Sequence, residues 1–182
     1  MPRTFFTSDD HFGHRAIIGE RMHAPRPFAS IEEHDETLVD RWNGVVRQED
    51  TVWHLGDFAY RCSEAHARAI FGRLNGRKLL IRGNHDRIGA RLPWAEPVRD
   101  VARIEVLDEE VGPVRVWLSH YAHVVWPSSF RGAIHLYGHS HGSLPGTATR
   151  LDVGVDCWDW TPVTLARIRE RLAQNALTGG GP

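Results

Sequence analysis

The sequence predicts an α/β fold whose first half forms parallel strands and whose second half contains antiparallel ones. Up to residue 81, short apolar strands alternate with helices in the order strand, helix, strand, helix, strand. This order is typical of parallel strands joined by right-handed crossovers. From Val98 onward, strand segments follow one another with a Gly112-Pro113 turn between two of them, which indicates an antiparallel hairpin.

Three strands and two helices are predicted in the first half. The strands are expected at 3–7, 51–55 and 78–81 because these segments are short and rich in apolar, β-branched or aromatic residues. Ser30 and Glu33 have the spacing of a capping box at the start of the first helix. Ser63 can cap the second helix, and Asn75-Gly76 can close it.

The second half is expected to be richer in strands. The predicted segments are the hairpin strands 101–107 and 114–118, then strands 133–137 and 150–155. A final helix is expected to start at Thr161-Pro162, because proline is tolerated in the first helical turn.

Composition sets the domain organisation. The 182 residues, of which 41% are hydrophobic, are enough for one buried core, so we expect a single domain over 1–174 and a flexible tail over 175–182. The 22 basic and 23 acidic residues form no long block of one sign, which argues against stable nucleic-acid binding or membrane binding.

The sequence also predicts a cytoplasmic protein. No apolar run approaches the roughly 20 residues of a membrane span, and Met1 leads straight into a strand instead of a signal pattern. Cys62 and Cys157 lie far apart and outside any CxxC spacing, so we interpret both as reduced structural thiols.

Polar clusters follow five of the predicted strands. After strand 78–81, the residues Asn84, His85 and Asp86 supply an amide oxygen, an imidazole and a carboxylate within one turn. The other clusters are, in chain order, 9–14, 56–57, 119–120 and 138–141. Because open α/β sheets place their sites at the carboxyl ends of strands, we expect these clusters to meet.

The side chains in these clusters are typical of a metal site. In Asp9-x-His11 and His139-x-His141, a spacing of two places both side chains on one side of an extended segment, so each pair is expected to bind one ion. Imidazole, carboxylate and amide ligands without thiolates favour Mn²⁺, Fe or Zn²⁺ over Ca²⁺. A shared carboxylate can bridge two ions roughly 3.5 to 4 Å apart, and such a pair hydrolyses phosphate esters.

The motifs SDDHFGH, GDF, GNHD, SH and GHSH occur in this order over nearly the whole chain and resemble the calcineurin-like metallophosphoesterase superfamily, in particular its small single-domain prokaryotic members. The resemblance implies an αββα sandwich of two mixed β-sheets flanked by helices. It assigns two overlapping ligand sets, Asp9, His11, Asp57 and His141 for one ion and Asp57, Asn84, His120 and His139 for the other. Asp57 would bridge the two ions. His85 would protonate the leaving oxygen, and Asp86 is expected to orient its ring.

The resemblance implies a dinuclear metal-dependent phosphoesterase in which a metal-bridging hydroxide attacks phosphate. A phosphodiesterase is expected, because family members of this size resemble phosphodiesterases. Mn²⁺ is the expected metal, with Fe, Zn²⁺, Ni²⁺ or Co²⁺ as alternatives, and the expected substrate is a small phosphate ester such as a nucleotide.

Three alternative functions stay open: a phosphomonoesterase, a nuclease of the same family, and a catalytically idle binding scaffold. Nucleases of the family usually carry an extra capping domain, for which 182 residues leave no room. Retention of His85 and of every candidate ligand counts against the scaffold. The oligomeric state is left open.

Several further residues have two interpretations. His14 either contacts a phosphate oxygen or holds its own loop by a hydrogen bond, and His123 is equally open. Arg61 lies near a candidate loop and could bind phosphate, but a solvated surface position is the favoured interpretation. His54 lies inside a predicted strand and is interpreted as structural. Trp126, in the loop after His120, is the tryptophan placed to stack on a base or an aromatic ester.

Overall fold

Two four-stranded sheets form the centre of the protein in a computed structural model that describes residues 2–19 and 24–178. The strands are β1 (Thr4–Thr7), β2 (Thr51–His54), β3 (Arg77–Leu80), β4 (Val101–Asp108), β5 (Gly112–Ser119), β6 (Ile134–Tyr137), β7 (Arg150–Asp152) and β8 (Val163–Thr164). The helices are α1 (Ile31–Val45), α2 (Glu64–Arg73) and α3 (Leu165–Leu177). The predicted α/β class with two mixed sheets and flanking helices is confirmed.

The first sheet has the strand order β3-β2-β1-β8. Its first three strands are parallel, and β8 is antiparallel to β1. Both predicted caps form, since the hydroxyl of Ser30 accepts from the N–H of Glu33 and that of Ser63 accepts from the N–H of His66. Helices α1 and α2 follow the strands as crossovers, as the alternation of strands and helices predicts.

Alternation along the strands places one helix layer on the outer face of the first sheet. Phe5 of β1 and Val52 of β2 pack against α1 and α2 through residues such as Trp42 and Phe71. Phe6, the next residue of β1, points to the opposite face. The period of two therefore separates the helix-covered core from the core between the sheets.

The second core lies between the two sheets and includes α3. Phe6 and Trp53 of the first sheet share it with Leu118 and Leu136 of the second. Helix α3 contributes three buried residues to the same core, namely Leu165, Ile168 and Leu172. One continuous apolar layer thus fixes the two sheets face to face.

The second sheet, in the order β4-β5-β6-β7, is less antiparallel than the sequence predicts. The β4–β5 hairpin pairs all eight residues of each strand, from Val101↔Ser119 to Asp108↔Gly112. In contrast, β5–β6 and β6–β7 are parallel. The prediction of an antiparallel second half is correct only for the hairpin, because the segments before β6 and β7 cross back over the sheet.

The end of the chain also departs from the prediction. Val163 and Thr164, expected within a helix, pair with β1, and α3 begins at Leu165. Two residues are too few to show a strand alternation in the sequence. Helix α3 continues to Leu177, so the predicted tail boundary after residue 174 lies inside it, and 179–182 lie outside the described residues. Among the described helices, none has the length and apolar character needed to cross a membrane.

Candidate dinuclear metal centre

Two groups of potential ligands meet where β1, β2, β5 and β6 end. One group is Asp9, His11 and His141, and the other is Asp57, His120 and His139. Within each group the ligand atoms lie within 4.8 Å of one another. Oδ2 of Asp57 lies 3.6 Å from Nε2 of His11 in the first group and 3.6 Å from Nε2 of His120 in the second. The Asp57 carboxylate therefore lies between the two groups.

His139 and His141 do not act as a pair. The expected extended segment is absent, because the backbone φ angles of His139 and His141 are 67° and 46°. The imidazole of His141 lies in the first group and that of His139 lies in the second. The inference that this pair binds one ion is wrong, whereas the division implied by the family resemblance matches the geometry.

Left-handed backbone is concentrated at the candidate ligands. Besides the two histidines, Asp9, His11 and Asp57 have φ angles of 61°, 53° and 60°. Such conformations in residues other than glycine cost on the order of 1–3 kcal/mol each and persist where the surroundings fix them, often at functional sites. No sequence pattern indicates this feature.

Two glycines of the motifs allow the loops to approach each other. A side chain at Gly83 would collide with the carboxylate and backbone nitrogen of Asp57, and one at Gly138 would collide with Ser8 and with Oδ2 of Asp9. Neither glycine has a positive φ. Gly83 is thus required for the close approach of the two loops and not for a left-handed backbone conformation.

Asp9 carries an unpaired acceptor inside the site. Its Oδ2 accepts a hydrogen bond from the N–H of His139 at 2.9 Å, but the buried Oδ1 has no hydrogen-bond partner among the described residues. That oxygen lies 3.9 Å from Nε2 of both His11 and His141. Burial raises the pKa of the Asp9 carboxyl to about 6. A buried carboxylate oxygen facing two imidazole nitrogens fits a bound cation.

His120 presents a lone pair to the second group. Its Nδ1 lies 2.7 Å from the carbonyl oxygen of Leu55, so Nδ1 carries the proton. In the neutral ring, Nε2 is then an acceptor, yet it lies 2.9 Å from Oδ1 of Asn84 and 3.6 Å from Oδ2 of Asp57. Three acceptor atoms converge there, and a cation between them would satisfy all three.

His141 is oriented by a hydrogen-bond network that sequence reasoning missed. Its Nδ1 donates to Oδ2 of Asp156 at 2.8 Å, which leaves Nε2 facing Asp9. Burial alone would raise the pKa of Asp156, but hydrogen bonds from His141 and Arg26 outweigh it and hold the pKa well below its usual range. A carboxylate behind a ligating histidine is a common support in metal sites.

Arg26 extends this network to the Asp9 loop. Arg26 is 3% exposed, and its guanidinium donates to the backbone oxygens of Asp9 and Asp10 at 2.6 and 2.9 Å. It also donates to both carboxylate oxygens of Asp156 and to Nε2 of His34. Arg26 lies between two prolines in a loop, so no periodicity or motif could reveal its role.

The Asp86 carboxylate supports the Asp57 loop and not the His85 ring. Its Oδ2 accepts from the N–H groups of Gly83 and Asp57 at 2.7 and 2.8 Å, and its Oδ1 accepts from Phe58 at 2.9 Å. The carboxylate is buried behind the Asp57 loop, because the backbone turns after His85 and points the two side chains in different directions. The prediction that Asp86 orients the His85 ring is therefore wrong.

His85 lies half-buried beside the two groups. Its backbone N–H donates to Oδ1 of Asp57 at 2.8 Å. The centroid of its ring lies 5.6 Å from that of His11 and 4.0 Å from that of Tyr60. Within the described part of the chain, no side chain forms a hydrogen bond to the His85 imidazole.

His14 lies beside the site, and its ring does not hold the loop. The ring centroid is 5.6 Å from that of His11 and 4.7 Å from that of Tyr60, and burial lowers the pKa of His14 to about 4. The loop is held instead by Asp35, whose carboxylate accepts from the N–H of Gly13.

His54 is structural, as predicted. Its Nε2 donates to Oδ2 of Asp10 at 2.7 Å, and its Nδ1 accepts from the N–H of Gly56 at 3.2 Å.

His123 and Trp126 lie in the loop between β5 and β6 and form hydrogen bonds there instead of with the candidate ligands. Nδ1 of His123 accepts from Nε1 of Trp117 at 3.0 Å. Trp126 is 6% exposed and donates from Nε1 to the oxygen of Ala133 at 2.9 Å, so it cannot stack on a substrate. Arg61, the last open residue, is exposed, with its guanidinium 5.2 Å from the centroid of Tyr60.

The two cysteines are free thiols, as the sequence predicts. Burial raises the pKa of both Cys62 and Cys157. Thiols with raised pKa values are poor nucleophiles and poor metal ligands. Neither belongs to a ligand group.

Comparison with known proteins gives curated relatives and a solved structure of similar fold. No protein-family model matches the chain. It is 33% identical to the Gene 66 protein of Mycobacterium phage L5, over 87% of this chain and 88% of the phage protein. It is 31% identical to the uncharacterized protein MJ1445 of Methanocaldococcus jannaschii, over 91% and 88% of the two chains. A crystal structure of a protein of unknown function from Aquifex aeolicus matches 94% of this chain and 100% of its own, with a TM-score of 0.66 and 21% identity, which supports the fold alone.

Proposed function

The chain belongs to the family that includes the mycobacteriophage Gene 66 proteins and MJ1445, and from its site we propose that it is a dinuclear metal-dependent phosphoesterase. The observation that carries the proposal is the position of Asp57. Its Oδ2 lies 3.6 Å from an imidazole nitrogen of each ligand group, where a single carboxylate can serve two ions.

The residues fit two divalent cations. Asp9, His11 and His141 would hold one, Asn84, His120 and His139 the other, and Asp57 both. The unpaired Oδ1 of Asp9 and the converging acceptors at His120 support this assignment. Imidazole, carboxylate and amide ligands without thiolates favour Mn²⁺, Fe, Zn²⁺, Ni²⁺ or Co²⁺, and we propose Mn²⁺. Bound cations would supply Lewis acidity to the phosphate oxygens and to water.

Exposure defines the side on which substrate binds. Asp9, His11, Asp57 and His120 are buried, whereas Asn84, His139 and His141 are exposed. A phosphate ester therefore approaches over the exposed ligands. The proposed substrate is a small phosphodiester such as a nucleotide derivative, because members of the resembled family that have this size resemble phosphodiesterases.

His85 donates the proton that the leaving oxygen requires. It is half-buried, lies beside His11 and is held at its backbone by Oδ1 of Asp57. Its ring is free of hydrogen bonds to described side chains, so its nitrogens are available to a ligand. General acid catalysis of this kind contributes roughly 10² to 10⁴-fold.

Metal content and turnover test the proposal together. Purified protein should contain close to two divalent ions per chain, hydrolyse bis(4-nitrophenyl) phosphate faster than 4-nitrophenyl phosphate, lose activity on chelation and regain it with Mn²⁺. Asp57→Asn should lose both ions and turnover, whereas Asp100→Asn, the same change at a side chain that is 85% exposed, should change neither.

Two outcomes would contradict the proposal. Full turnover by metal-free protein would remove the dinuclear site from the reaction. Binding of two ions without turnover of any ester tested would favour the binding scaffold.

A further inference from the structure

We infer that Tyr60 fixes the orientation of the His85 imidazole and thereby positions the proton donor; its catalytic consequence rests on the proposed function. The ring centroids of Tyr60 and His85 are 4.0 Å apart, with 38° between the ring planes. Of the aromatic neighbours of His85, His11 is farther away, at 5.6 Å.

The residue next to His85 cannot perform this role. Both oxygens of Asp86 accept backbone N–H groups, from Gly83, Asp57 and Phe58. The terminal torsion of a histidine side chain is broad unless a contact restricts it. Because no described side chain forms a hydrogen bond to the His85 ring, ring packing is what restricts that torsion.

Tyr60 is itself held in place. Its N–H donates to the backbone oxygen of Phe12 at 3.3 Å, next to the bridge that joins Phe12 to Ala59. His14 packs edge-on against the tyrosine ring, with centroids 4.7 Å apart and planes at 81°. The guanidinium of Arg61 lies 5.2 Å from the ring centroid. Tyr60 is thus held by contacts with neighbouring loops, and its fixed ring can restrict the orientation of the His85 ring packed against it.

Kinetics with two leaving groups tests the positioning role. A dinucleotide has an alkoxide leaving group that needs a proton, whereas nitrophenolate leaves without one. Tyr60→Leu should lower kcat/KM for the dinucleotide about tenfold, the scale expected for losing one aromatic pair, and should leave the nitrophenyl diester nearly unchanged. Tyr60→Phe, which keeps the ring, should behave like the wild type on both esters.

A double-mutant cycle isolates the path through His85. In the His85→Ala background, Tyr60→Leu should cause no further loss on the dinucleotide, because the ring that it positions is gone. Equal losses on both esters, or a full additional loss in that background, would overturn the inference. A general weakening of the fold by Tyr60→Leu would cause the full additional loss in the His85→Ala background.

A readout without turnover separates this inference from the proposed function. The face of a tyrosine ring shifts the proton resonances of a ring packed on it, so the His85 imidazole protons of the Zn²⁺-loaded protein should move in Tyr60→Leu and stay in Tyr60→Phe. Their assignment comes from His85→Ala. If neither ester is hydrolysed by the wild type, the phosphoesterase proposal fails while this measurement still decides the contact. Unchanged His85 resonances in folded Tyr60→Leu would overturn the inference in either case.

Discussion

Replacement of Asp86 separates support of the Asp57 loop from orientation of His85. In Asp86→Asn the amide oxygen can replace Oδ2 and keep the bonds from Gly83 and Asp57, which are 2.7 and 2.8 Å long. The amide nitrogen of the variant then faces the N–H of Phe58, which in the wild type donates to Oδ1 of Asp86 at 2.9 Å. One charge-assisted hydrogen bond is lost and a buried donor is left unpaired, so we expect a loss of about 2 to 4 kcal/mol in the free energy of unfolding.

The functional effect follows from which loop Asp86 holds. A displaced Asp57 loop weakens both ligand groups at once, so metal affinity should fall and turnover of the dinucleotide and of the nitrophenyl diester should fall by the same factor. Urea unfolding of the metal-free protein gives the stability change, and kcat/KM at saturating Mn²⁺ gives the activity change. Asp100→Asn is the matched control, since that side chain is 85% exposed.

One pattern of results would refute this reasoning. If Asp86→Asn reduced turnover of the dinucleotide selectively, with wild-type stability and metal affinity, Asp86 would act through His85 as the sequence suggested. The three backbone hydrogen bonds would then have no bearing on the position of Asp57.

Three further predictions concern other parts of the molecule. Asp57→Asn should lower kcat/KM at saturating Mn²⁺ more than His141→Ala, because Asp57 faces both ligand groups and His141 one; equal losses would contradict the shared position. Cys157→Ser should change turnover by less than a few-fold, and the wild-type thiol should resist alkylation at pH 8, because burial raises its pKa; rapid alkylation of the folded protein would contradict this. Burial lowers the pKa of His135 from 6.5 to about 4. Between these two pH values the histidine is protonated in the unfolded state but not in the folded state, so the free energy of unfolding decreases as the pH falls from 6.5 to 4. The free energy of unfolding, measured with urea, should fall between pH 7 and pH 4 by about 3 kcal/mol less in His135→Gln than in the wild type. The same fall in both proteins would contradict this role of His135.

Local signals explain what the sequence could predict. The hydroxyls of Ser30 and Ser63 cap α1 and α2 because a cap involves residues only three positions apart. The candidate ligands could be found because they follow strands, and the carboxyl ends of neighbouring parallel strands lie together. In both cases the information is contained in a few consecutive residues or in the order of the elements.

Long-range contacts explain what the sequence could not predict. Arg26 and Asp156 are 130 residues apart, and only the closed fold brings them together behind His141. Strand β8 pairs with the free edge of β1, which is a contact between distant parts of the chain. Its two residues, Val163 and Thr164, are too few to show a strand pattern in the sequence. The expectation that Asp86 orients the His85 ring is wrong for a related reason. Adjacency of two residues in the chain does not determine the direction in which a buried side chain points.

Buried carboxylates account for how the left-handed ligand loops persist. Asp86 holds the N–H groups of Asp57 and Phe58, and Asp152 accepts from the N–H of Gly142 at 3.1 Å and from that of Gly154 at 2.7 Å. Each of these two carboxylates accepts hydrogen bonds from loop N–H groups that have no regular strand or helix partner. These hydrogen bonds offset the conformational cost of the left-handed residues. The candidate ligands are therefore positioned by hydrogen bonds within the protein. Because little ordering then remains for metal binding to impose, chelation should lower the melting temperature while leaving the far-ultraviolet circular dichroism of the folded protein unchanged.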